Sequence, residues 1–99
     1  MALRRDAATD GLFQSILALR DLDECYLYFE DLCTNKEIHD MGQRLTVAKL
    51  LRAGSSYLQA AEQVGVSSAT VGRVKRCLDY GDGGYRLILD RLSEDAHER

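Results

Sequence analysis

From Ser67 to Asp79 the chain reads SSATVGRVKRCLD, and its side chains suit recognition rather than bond-making. Ser68 and Thr70 bring hydroxyls, Ala69 and Gly72 bring little bulk, and Arg73, Lys75 and Arg76 bring positive charge. Small residues let a backbone approach a base edge closely, hydroxyls hydrogen-bond to that edge, and Arg or Lys reaches phosphate or guanine. Seven residues of these types, Ser68, Ala69, Thr70, Gly72, Arg73, Lys75 and Arg76, form a candidate DNA-binding set.

Such a set works only if a helix presents it. Val71, Val74 and Leu78 recur at spacings of three and four and give residues 67–79 one apolar stripe. Just upstream, Ala60 and Val64 form a second, narrower stripe. Gly65 lies between the two, where a sharp reversal needs positive φ or close backbone approach, and Ser67 is placed to cap the second helix. Paired Ala60 and Ala61 allow a close crossing, and Val66 supplies an apolar residue just past the turn. The pattern over 57–79 is a helix-turn-helix whose second helix would enter the major groove, with Lys49 or Arg52 as further phosphate contacts. The competing reading is an ordinary helical hairpin with a solvated face.

Charge is distributed in keeping with the first reading. Residues 1–42 hold four cations against nine carboxylates, residues 43–80 six against two, and residues 81–99 three against five, for a net charge of -3. A general nucleic-acid coat is excluded, whereas a local, strongly salt-dependent contact fits. Helix formers dominate the 99 residues and neither proline nor tryptophan occurs, so one small all-α domain is expected. A chain this small often completes its core with a second copy.

Other chemistries find little support. Cys25, Cys33 and Cys77 are odd in number, widely spaced and set in apolar patterns, with His39 and His97 far apart, so they read as structural thiols in a reducing compartment. No metal site and no cofactor are expected. No nucleophile–base pair stands out, and the GDGG stretch lacks the lysine and strand context of a phosphate loop, so the chain does not read as an enzyme. Neither a signal peptide nor a membrane-spanning run is visible, which points to the cytoplasm.

In chain order, residues 1–9 read as loose, residues 10–92 as the helical dimerisation and DNA-binding domain, and residues 93–99 as a polar tail. Asp10 is placed to cap a first helix containing Phe13, Ile16 and Leu17, and Asp21 to cap a second containing Leu22, Cys25, Tyr26, Phe29 and Leu32. Thr34 and Glu37 match a capping box for a third helix through Ile38, Met41, Leu45, Ala48 and Leu51, which ends near Gly54. Its broad apolar arc makes it the expected scaffold, with Asp40 and Arg44 spaced to pair on its surface. The reading helix should end by Tyr80, and a last helix carries Tyr85, Leu87, Ile88 and Leu89.

The run from Thr34 through Tyr85 resembles the tryptophan repressor superfamily, most of all its small bacterial tryptophan-repressor-related branch. QRLTVAKLLRAG, YLQAAEQVGVSSATVGRVKRCL and YGDGGY carry the resemblance, over about half the chain. It implies an intertwined helical homodimer containing a helix-turn-helix, whose two reading helices address successive major grooves of a roughly palindromic operator. By motif, Leu58, Ala61, Ser68, Ala69, Thr70 and Gly72 fall where that family faces DNA. Gly72 stands where the repressor offers a hydroxyl, and Leu58 and Ala61 replace longer polar groups, so sequence preference should differ from the tryptophan operator.

The resemblance also implies a candidate effector pocket. Thr34, Arg44 and Arg73 match three polar residues of the family's amino-acid site, while Val74 stands for a glycine and Cys77 for a serine. Val74 adds bulk where an indole ring needs flat space, which disfavours tryptophan as the effector. A competing role exists for each polar member: phosphate contact for Arg73, an ion pair with Asp40 for Arg44, and capping for Thr34. The expected function is sequence-specific binding of double-stranded DNA by a transcription regulator, of repressor type. The alternative is a non-catalytic helical adaptor dimer that does not bind DNA.

Overall fold

The computed structural model describes residues 3–98, with side chains to residue 94. Residues 1, 2 and 99 of the expected loose N-terminus and polar tail lie outside the described residues. The fold is all-α, and the chain divides into two compact units, one up to Asn35 and one from Lys36 onward.

The first unit holds α1, Ala7–Leu17, and α2, Leu22–Leu32. Asp6 rather than Asp10 caps α1, its carboxylate accepting from the Thr9 N–H at 2.8 Å, so the helix begins inside the segment expected to be loose. Ala7 and Ala8, the strongest helix formers, follow Asp6 directly, whereas Asp10 is followed by Gly11. Hydrogen bonding from the backbone and the side chain of Thr9 holds the Asp6 carboxyl below the usual carboxylate range. Asp21 caps α2 as its spacing predicts, accepting from Glu24 N–H at 2.8 Å, and the Glu24 carboxylate accepts from the Arg20 N–H at 2.9 Å. The hydroxyls of Ser15 and Tyr28 meet at 2.6 Å and link the two helices. Neither helix buries a residue.

The second unit holds all but the first residue of α3, Asn35–Arg52, together with α4, Tyr57–Val64, α5, Ser68–Tyr80, and α6, Gly84–Glu98. The last helix extends through most of the segment read as a polar tail. Its core comprises Val47 and Ala48 from α3, Ala60 from α4, Val71 and Val74 from α5, and Leu89 from α6. The scaffold helix is thus buried only in its C-terminal half, while Ile38 and Met41 remain exposed. Asp40 pairs with Lys36 at 2.7 Å rather than with Arg44, and this hydrogen-bonded ammonium holds the Asp40 carboxyl below its ordinary range. Both partners sit one turn from Asp40, and the lysine ammonium is the one that reaches it.

Candidate nucleic-acid interface

Three local devices shape the stretch from Ser56 to Gly81. Ser56 opens α4 with a full capping box: its hydroxyl accepts from Gln59 N–H at 3.1 Å, and the Gln59 side chain accepts from Ser56 N–H at 2.9 Å. Gly65 ends α4 in the left-handed region at φ 81°, and its N–H returns to the Ala61 carbonyl at 2.9 Å. Ser67 then opens α5, its hydroxyl accepting from Thr70 N–H at 3.2 Å. Two helices joined by a three-residue turn result, as the sequence pattern predicts.

Packing sets the angle between them. Ala60 is fully buried and Ala61 half-buried, so the crossing is floored by methyl groups and backbones approach closely. Val71 and Val74 fill the other side of that contact at 0% and 1% exposure. With those two fixed inward, helical periodicity turns Ala69, Arg73 and Arg76 outward, and all three are exposed, as is Ser68. Gly72 is half-buried at the margin of the same face.

Two of the seven candidate residues are engaged by their own chain. The Thr70 hydroxyl lies 3.1 Å from that of Ser67, within the cap. Lys75 is half-buried and its ammonium sits 3.2 Å from the Asp79 carboxylate one turn on. Lys75 and Asp79 line a groove of about 270 Å³ with Leu51, Arg52, Leu78, Arg86 and Asp90, where Arg52 forms an ion pair with Asp90. Among the described residues, Arg73 and Arg76 have no carboxylate partner.

The candidate effector residues fall in both units. Thr34 is exposed at the end of the first unit. Val74 is a core residue, and Cys77 is exposed rather than packed in an apolar setting, whereas Cys25 and Cys33 are half-buried. Arg44, Arg73 and Cys77 share an electrostatic neighbourhood with Tyr85, whose position was not legible in the sequence. Burial pushes the Tyr85 phenol above its usual range, and the two guanidinium groups oppose that shift. No group of three or more potential metal ligands occurs among the described residues, and no helix there is long and apolar enough to cross a membrane.

Comparison with known proteins agrees with this architecture. The family model for Trp repressor protein matches residues 7–93. The uncharacterized protein YerC of Bacillus subtilis (strain 168) is 50% identical over 94 residues, covering 95% of this chain and 90% of its own. A crystal structure of a Trp repressor candidate from Staphylococcus aureus superposes with a TM-score of 0.87 at 47% identity, covering 90% of this chain and 89% of its own. That of a TrpR like protein from Eubacterium eligens ATCC 27750 gives 0.87 at 49% identity, covering 90% and 92%.

Proposed function

We propose that this chain, which belongs to the Trp repressor family, is a sequence-specific double-stranded DNA-binding transcription regulator of repressor type. Members of that family are non-catalytic DNA-binding regulators. The observation that carries the reading is the outer face of α5. Ala69, Arg73 and Arg76 project away from a valine-packed underside, with Ser68 at the helix start, so the helix-turn-helix of residues 57–79 offers small and cationic groups to a major groove. Ser68, Ala69 and Gly72 lie nearest base edges, and Arg73 and Arg76 nearest phosphate.

The working unit is a homodimer. Helices α1 and α2 expose Leu17 at 83%, Leu22 at 71%, Tyr26 at 70% and Leu27 at 69%. Apolar area on this scale seeks a partner, and a second copy of the chain is the partner the family suggests. Two reading helices then address two half-sites of one duplex.

DNA binding proceeds without tryptophan in this reading, because Val74 is committed to the core. Selection of duplexes from a random pool by the purified protein, at moderate salt with and without mixed amino acids, tests the proposal. A two-fold-symmetric site enriched in both conditions is expected. No enrichment and no salt-sensitive retention would replace this reading with a helical adaptor dimer.

A further inference from the structure

The basic segment between residues 43 and 80 contains six cations, but the folded chain does not present them equally. Arg52 is bound to Asp90 across helices, and Lys75 to Asp79 within α5, both pairs lining the same groove. Arg73 and Arg76 on the neighbouring face of α5 have no such partner among the described residues. A carboxylate held on an ammonium or guanidinium occupies the position a phosphate oxygen would take. It also cancels the charge felt within a Debye length of about 10 Å, so the masking extends beyond direct contact.

Resting on the DNA-binding reading above, we infer that Asp79 and Asp90 are specificity-determining residues that mask Lys75 and Arg52 from the phosphate backbone. Non-specific affinity comes almost entirely from phosphate neutralisation, so every unmasked cation strengthens binding to any duplex alike. Masking two of the six leaves Arg44, Lys49, Arg73 and Arg76, and of these Arg73 and Arg76 stand beside the small residues of α5 that decide where the protein stays. The acidic groups of the groove thereby raise the ratio of specific to random binding while lowering overall affinity. Neutralising both changes the formal net charge of the chain from -3 to -1.

The experiment measures retention of a random-sequence duplex by the full chain and by D79N, D90N and D82N between about 50 and 200 mM salt. Asp82 is an exposed turn carboxylate with no cation partner among the described residues, so D82N makes the same change in net charge without freeing a cation. The log–log salt slope of D79N and of D90N is expected to steepen by up to about 0.9 each, about a threefold gain in random-duplex binding at the low-salt end. D82N should keep the parental slope, and D79E, which restores the carboxylate, should return to it. Equal slopes for D79N, D90N and D82N would overturn masking while leaving DNA binding intact. Absence of salt-sensitive retention in the parent and in every variant would overturn the DNA-binding reading and the masking with it. Matched circular dichroism spectra confirm that the variants compared are folded.

Discussion

Lys75 and Arg76 are adjacent in sequence and opposite in circumstance. One reaches the Asp79 carboxylate, while the other stands in solvent on the outer face of α5. Arg76→Gln should therefore flatten the salt dependence of duplex binding by about 0.9, the value of one released counterion. An unchanged slope would remove Arg76 from the phosphate contacts. Tyr85 is a second residue whose setting matters more than its type. Its phenol is raised mainly by burial, so the folded state resists ionisation while the unfolded phenol titrates near its ordinary value of about 10. The corresponding stability is intact below that pH and is lost as pH rises through the folded-state value. Tyr85→Phe should remove this component, so that urea unfolding above about pH 10 weakens the parent more than the variant. Parallel losses would place the hydroxyl in water.

At the scale of elements, two glycines end helices for different physical reasons. Gly65 adopts φ 81°, yet a side-chain carbon there would meet nothing within 4 Å. Gly65→Ala should thus cost only the left-handed backbone term, about 1–2 kcal/mol. Gly81 has ordinary φ, but an added carbon would collide with the carbonyl of Cys77 in the last turn of α5. Gly81→Ala should be the more destabilising of the two, because backbone must move. Urea midpoints at constant m-value give both figures, and a reversed order would show that the end of α5 yields readily. Ser67→Ala should cost about 1 kcal/mol through loss of the α5 cap.

At the scale of the molecule, the six buried apolar residues among the described ones are a thin core for a chain of 99. Helix α6 exposes Leu87 and Ile88 while burying Leu89, and α1 and α2 bury nothing. Folding and association should then be linked, with a thermal midpoint that rises with protein concentration. Sedimentation should show a dimer, and Leu27→Glu should shift it toward monomer and lower the midpoint. A folded parental monomer at micromolar concentration would refute the homodimer.

Much of the local design could be read directly from residue order. Capping and turn formation depend on neighbours within four positions, so Asp21, Gly65 and Ser67 were identifiable, as was the end of α5 at Tyr80. The inward register of Val71 and Val74 followed from helical period alone. Even the Lys75–Asp79 pair is visible as a spacing of four, though spacing could not say that Lys75 would choose Asp79 over solvent or phosphate. The Arg52–Asp90 pair spans 38 positions, and the gathering of Arg44, Arg73 and Cys77 around Tyr85 spans three helices. Which half of α3 is covered, and which cations stay free, depend on where helices distant in sequence come to rest. Short-range hydrogen bonding and periodicity wrote the elements into the chain, and only packing among those elements decided how much of its positive charge remains available.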